Sequence, residues 1–160
     1  MASAMPGKYF VQAGVLPGYP SLKSVTLAGN DLTDLPLEVS GKNLADLVLT
    51  YSDTRMGSLA FVAAAPPGQP RDGEAVLLFP ADRKYWSEPS AARRRFRTVA
   101  LSSKGSATAA DMPAGEYFVV LVAGNDAFDW QEFEKLDALS RTAQRISVND
   151  GEHRSIEVRR

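Results

Sequence analysis

The sequence predicts an all-β protein whose main body is a β-sandwich, carrying one short helix and preceded by the strands of a partial second β-module. Three observations predict it. Short segments rich in Val, Leu, Phe and Tyr are bounded repeatedly by Gly, Pro, Asn and Asp, the signature of strands and turns. One segment breaks that rhythm, with apolar residues at spacings of three. The phrase "MPGKYF" at 5–10 returns as "MPAGEYF" at 112–118, so one structural unit is written twice.

The first predicted strands run over 8–13, 22–28, 36–39 and 45–51. "AGND" at 28–31 is a turn between two of them. The next cover 57–64 and 74–79, joined by "APPGQPRDG" at 65–73, whose three prolines and two glycines exclude helix and central strand. A long loop at 81–95, with a helical turn over 89–94, leads to strands at 96–101, 105–110 and 116–123. "YFVVLVA" at 117–123 is continuously apolar, as a central strand covered on both sides would be. In "FDWQEFEKLDALSRTA" at 128–143, Trp130, Phe133, Leu136 and Leu139 predict an amphipathic helix over about 130–140, with Asp129 as its N-cap. Strands at 143–148 and 153–159 close the chain, and "NDG" at 149–151 between them reads as a hairpin turn.

Composition sets the outer limits. At 160 residues, 44% apolar and 23% charged, the chain can bury a core and does not read as disordered. A net charge of −1 argues against nucleic acid, which needs a surplus of Lys and Arg on one face. Cysteine is absent, which removes disulfides, thiolate nucleophiles and cysteine metal sites. The longest apolar runs fall far short of the ~20 residues of a membrane span, so no membrane insertion is expected. "MASAMPG" has no positive and apolar leader pattern, and any export signal would lie upstream.

After each copy of the repeated phrase come a loop, an apolar strand, a Gly-containing turn and a last strand: "LEVSGKNLADLVLTY" at 37–51 against "ISVNDGEHRSIEVR" at 146–159. Residues 1–53 therefore look like the C-terminal-half strands of a preceding β-sandwich module, with a polar boundary at "SDTR", 52–55. Strands without their front half would either dock on residues 56–160 or take partners from another copy or a neighbouring module, assembling by strand pairing into an oligomer or filament.

Residues 56–160 resemble the carboxypeptidase regulatory-like domain. The residues that carry the resemblance are Gly57, "GQP" at 68–70, "AVLLFP" at 75–80, "SSKGSATAADMPAGEY" at 102–117 and the closing hairpin. It implies a seven-stranded, Ig-like, prealbumin-like (transthyretin-like) sandwich from a bacterial envelope protein, extracellular, periplasmic or on the cell surface. Met112-Pro113-Ala114 departs from the family's Leu-Pro-Pro, and the segments 81–95 and 125–142 are insertions. In the corner itself Pro113 presets a turn, Gly115 can take a positive φ, and Tyr117 turns its ring inward with its hydroxyl near the loop backbone, a structural role. In the related collagen-adhesin B-type domains a first-strand Lys bonds to a last-strand Asn. "GSLAFVAA" has no Lys and "HRSIEVRR" no Asn or Asp, so that isopeptide bond is not expected. Zinc carboxypeptidase activity is not expected either, since the regulatory domain is an accessory to that enzyme.

Candidate chemistry is thin. His153 is the one histidine, flanked by Glu152 and Arg154 in a turn, and supports neither a catalytic triad nor a metal set. Asn125, Asp126 and Asp129 offer three oxygen side chains to calcium without an EF-hand spacing, and serve equally as turn and cap residues. "RRRFR" at 93–97 with Arg159-Arg160 forms an anion patch or pairs with Asp82, Glu88, Asp126 and Asp129. The informative cluster is Tyr85, Trp86, Phe128, Trp130 and Phe133, which falls in the two insertions and holds both tryptophans. Such aromatics bind a glycan or peptide by stacking, or Trp86 packs under the helix and fixes both insertions over the sandwich. The reading is a non-catalytic module without cofactor or metal, partnering neighbouring β-sandwich modules or copies of itself, with a carbohydrate- or peptide-binding module as the alternative.

Overall fold

The computed structural model describes residues 5–12, 20–41, 44–63, 73–87, 93–123 and 132–159. The chain divides into two compact units, Met1–Arg55 and Met56–Arg160.

The first unit contains β1 (Gly7–Tyr9), β2 (Ser21–Leu27), β3 (Asn30–Asp31), β4 (Leu37–Val39) and β5 (Leu47–Ser52). β1 pairs antiparallel with β4, and a second sheet has the order β3-β2-β5. The turn at "AGND" forms as expected: Ala28 and Gly29 both have positive φ, 47° and 80°, the pattern of a type I′ hairpin turn, which matches strand twist. Thr33 then completes the edge, its hydroxyl accepting from the Val25 N–H at 2.8 Å. Among the described residues of this unit, Val25, Leu37 and Val39 are the buried hydrophobic ones. The strand expected over 8–13 ends at Tyr9.

The second unit is the all-β sandwich that the sequence predicted, with seven strands among the described residues. They are β6 (Gly57–Ala63), β7 (Glu74–Pro80), β8 (Arg97–Ala100), β9 (Ser106–Met112), β10 (Gly115–Ala123), β11 (Gln144–Val148) and β12 (His153–Val158). One sheet has the order β11-β10-β7-β8 and the other β12-β6-β9. Alternate residues of both sheets, including Leu59, Phe61, Val76, Leu78, Tyr117 and Val119, meet in one continuous core. β10 lies between β11 and β7, as its unbroken apolar run required.

The connection at "NDG" corrects the sequence reading. β12 does not return along β11 as a hairpin; it crosses to the other sheet and pairs with β6, parallel, from His153↔Ser58 to Val158↔Ala63. The favoured two-residue hairpin turns need positive φ at both central residues (type I′) or at the first (type II′), and here Gly151 has it (71°) while Asp150, the first, does not. The turn is fixed instead by Glu152, which accepts from the Asn149 N–H at 2.8 Å and the Asn149 amide at 3.1 Å. The Glu152 carbonyl then accepts from the Ser58 N–H at 2.7 Å, starting the parallel pairing.

The helix α1 runs Phe133–Ser140, shorter than the expected 130–140, and Glu132 rather than Asp129 stands at its N-cap without a capping side-chain bond. The insertion after β7 forms a 3-10 turn at Arg83–Tyr85, where Asp82 caps by accepting from the Lys84 N–H at 3.1 Å. A second 3-10 turn at Arg93–Arg95 overlaps only the last two residues of the helical turn expected over 89–94, whose residues 89–92 lie outside the described residues.

Candidate functional site

The two insertions meet on the outer face of the four-stranded sheet. Every residue of β7 from Ala75 to Pro80 is buried, so this strand has apolar cover on both faces. Phe79 and Phe118, cross-strand partners on β7 and β10, stack with ring centroids 5.4 Å apart. Trp86 closes over them at 5.7 Å and 6.5 Å, and Phe133 of α1 packs on Trp86 at 5.5 Å. Trp86 is 1% exposed, and its indole N–H donates to the Pro80 carbonyl at 2.7 Å. Leu136 is fully buried on the same helix. A Trp with both its ring and its N–H satisfied is a structural keystone, because each unmet polar atom in such a site would cost stability.

Charges lock this layer from outside. The Arg83 guanidinium lies 5.2 Å from the Trp86 ring centre and pairs with Asp137 of α1, which also pairs with Arg141 at 2.7 Å. The Arg141 hydrogen bond, with the charge of Arg83 beside it, holds the Asp137 carboxyl below the usual range. Asp82 is also lowered: burial opposes the shift, but hydrogen bonds from the Lys84 N–H and ammonium outweigh it, with Arg95 adding charge.

Tyr85 is buried and has cations over its ring, Lys84 at 4.9 Å and Arg95 at 5.0 Å. Arg95 also donates to the Ala114 carbonyl at 3.1 Å and the Tyr117 hydroxyl at 3.4 Å. It thus ties the first insertion to the corner between β9 and β10. In that corner Tyr117 is fully buried and donates to the Pro113 carbonyl at 2.7 Å, and Gly115 has φ 152°. A Cβ at Gly115 would stand 3.0 Å from the Arg95 guanidinium, so the arginine side chain would have to shift to admit one. Arg97 donates to the carbonyls of Arg93, Phe96 and Asp111, and burial lowers its pKa. Two arginines of "RRRFR" therefore fasten backbone, and Phe96 between them is buried.

The first copy of the repeated phrase builds the same corner. Tyr9 donates to the Met5 carbonyl at 2.8 Å, four residues back, as Tyr117 does to Pro113. Gly7↔Val39 and Tyr9↔Leu37 in one unit reproduce Gly115↔Val148 and Tyr117↔Ile146 in the other. The two differ in cover: Tyr9 is 37% exposed and Tyr117 is 0%.

Of the five aromatics expected to share a site, Trp86 and Phe133 touch, Tyr85 is buried with Lys84 and Arg95 over its ring, and Phe128 and Trp130 lie outside the described residues, as do Asn125, Asp126 and Asp129. Phe133 is 42% exposed. Sequence reasoning missed Phe79 and Phe118 as the floor of this cluster, although the unbroken apolar run of "AVLLFP" was the signal of a strand covered twice. His153 is exposed at the start of β12. Among the described residues no group of three or more His, Cys, Asp or Glu could hold a metal ion. No helix of the described residues is long and apolar enough to cross a membrane.

No protein-family model matches the chain, and no curated protein matches it. Among solved structures it is similar to the Bacillus anthracis TIE protein, at 14% identity and a TM-score of 0.41, over 78% of this chain and 20% of that one. A proposed carbohydrate-binding protein from Pseudomonas aeruginosa is similar at 12% identity and a TM-score of 0.37, covering 68% of this chain and 91% of that one. The minor pilin of Streptococcus agalactiae is similar at 10% identity and a TM-score of 0.40, over 84% of this chain and 56% of that one. This chain thus spans about a fifth of the length of the first of these.

Proposed function

We propose that residues 56–160 are a non-catalytic spacer and interaction module of the carboxypeptidase regulatory-like kind, belonging to a larger exported bacterial protein. The observation that carries this reading is the parallel pairing of β6 with β12. The first and last strands of the unit run side by side in the same direction, so the chain enters at one end of the sandwich and leaves at the other. Six paired residues at ~3.3 Å each separate entry from exit by roughly 20 Å. Such a unit can be strung end to end with others. Glycan or peptide binding by the insertions is the second reading, and the exposure of Phe133 favours it, since Tyr85 and Trp86 have their rings covered. Glycan-array and peptide pull-down screening of the full chain, beside Phe133→Ala and Trp86→Ala, separates the two. The spacer reading expects no ligand. A ligand lost in Phe133→Ala while the variant unfolds as the parent does would replace it with the binding reading.

A further inference from the structure

Sheet edges in this chain are guarded by charge, with one exception. The four sheets present eight edge strands among the described residues. β1, β3, β4, β8, β9, β11 and β12 each carry at least one Lys, Arg, Asp or Glu, the usual protection of an edge against pairing with another chain. β5, "LVLTYS", carries no charged residue and no proline. Its counterpart in the second copy of the repeat, β12, also stands at an edge but includes Arg154 and Glu157.

β5 is continuous and open as well as uncharged. The chain is described without a break from 44 to 63, and among the described residues the strand partner of β5 is β2, on one edge. The register shift in that pairing lies on β2, between Leu22 and Ser24, so the six residues of β5 run without a bulge. Val48, Leu49 and Tyr51, half of the strand, are large hydrophobic side chains left exposed.

The missing charge also points to the partner. When two identical strands meet antiparallel about a twofold axis, each side chain lies close to its own copy or to a near neighbour's, so a charge near the axis would meet its like. A net charge of −1 adds little repulsion between whole chains. We infer that β5 pairs antiparallel with β5 of a second copy of this chain, across a twofold axis at Leu49, joining two three-stranded sheets in the order β3-β2-β5-β5-β2-β3. An axis perpendicular to the sheet keeps every side chain on its own face, so it passes through a residue and not between two. At Leu49 it sets Leu49 against its copy, Leu47 against Tyr51 and Val48 against Thr50, a ladder free of charge. Just beyond its ends Asp46 meets Ser52, two polar groups, whereas an axis at Thr50 would set Asp53 against Leu47. Such an interface uses the same patch on both copies and closes at two. This inference rests on the reading of the chain as an interaction module and names the partner of its first unit.

Sedimentation equilibrium of the full chain tests it, taken up to about 1 mM, the effective concentration that modules on one tether reach. Two chains and no more are expected; a chain that stays monomeric there, or grows past two, overturns the pairing. Val48→Lys, at an exposed position, is expected to weaken the dimer about tenfold or more by setting an ammonium near its own copy, and an unchanged dissociation constant overturns the proposal. Because the chain has no cysteine, single replacements report the geometry. Across the axis the Cα atoms of Leu49 and its copy lie about 4.5–5.5 Å apart, within disulfide reach. Those of Tyr51 and its copy are offset by four residues, roughly 13 Å along the strand. Under mild oxidation Leu49→Cys is expected to cross-link the copies and Tyr51→Cys is not. Equal cross-linking, or the reverse, overturns the proposal in favour of contact through other surfaces. A monomeric chain would leave residues 56–160 standing as a spacer, and a ligand found at Phe133 would replace the spacer reading while leaving the dimer in place.

Discussion

Gly57 lies directly beneath Val148: a Cβ on Gly57 would stand 2.6 Å from the Val148 Cγ1, 3.2 Å from the Asn149 carbonyl oxygen and 3.5 Å from that of Met112. The glycine that opens β6 is thus a spacing requirement, since the end of β11 and the end of β9 both close on it. Gly57→Ala is expected to cost about 1–3 kcal/mol by overpacking. Urea denaturation should show a lower midpoint at an unchanged slope, and an unchanged midpoint would mean that the two sheets can separate freely at this end.

Replacing Trp86 by alanine removes a fully enclosed indole and frees the Pro80 carbonyl. A loss of about 3–5 kcal/mol is expected, with α1 losing its protection from amide exchange. If α1 keeps its protection, Trp86 is not what holds it against the sheet.

The twin corners allow a matched comparison. Tyr117→Phe deletes a buried hydrogen bond and should cost about 1–2 kcal/mol, while Tyr9→Phe deletes a solvent-accessible one and should cost clearly less. Both are read by thermal unfolding, and equal costs would show that exposure does not distinguish the two corners.

Asp137 gives a pH dependence with a definite sign. Its carboxyl is lowered from 3.8 by the Arg141 hydrogen bond and the charge of Arg83. The stability it adds is therefore present above its unfolded value and lost as pH falls through the lower folded one. The melting temperature of the parent should exceed that of Asp137→Asn near neutral pH, and the gap should close below that range in acid. Because the pair is solvent-accessible, added salt should shrink the gap as well.

Residues 56–160 hold the continuous core and both sandwich sheets, so deleting residues 1–53 is expected to leave them folded and monomeric. Calorimetry and sedimentation check this, and loss of a cooperative transition would show that the two units share one core.

Much of this arrangement is legible in local chemistry. Alternation and turn residues placed each of the seven sandwich strands within a few positions, because each had a wet or a dry face set by its own side chains. The Tyr117 corner was legible for the same reason, as Pro113, Gly115 and Tyr117 encode it within five residues. The β11–β12 connection was not, because "NDG" is compatible with two turn shapes and the choice is made by Glu152 and the distant Ser58. The aromatic layer was half legible: Trp86 and Phe133 stood out by type, but their floor of Phe79 and Phe118 comes from strand register, which no short window of sequence contains.

The parallel pairing of β6 and β12 has a mechanical consequence. A pull applied through the two ends of residues 56–160 draws these neighbouring strands past each other along their length. Their backbone bonds are then loaded together in shear, whereas a hairpin loaded at its open end unzips one bond at a time. Rupture would require the whole six-residue ladder to fail at once, and its lifetime under tension would follow the unfolding rate of that ladder. A chain of such units, each anchored front to back in this way, would behave as a stiff tether that resists extension until a unit gives way as a whole.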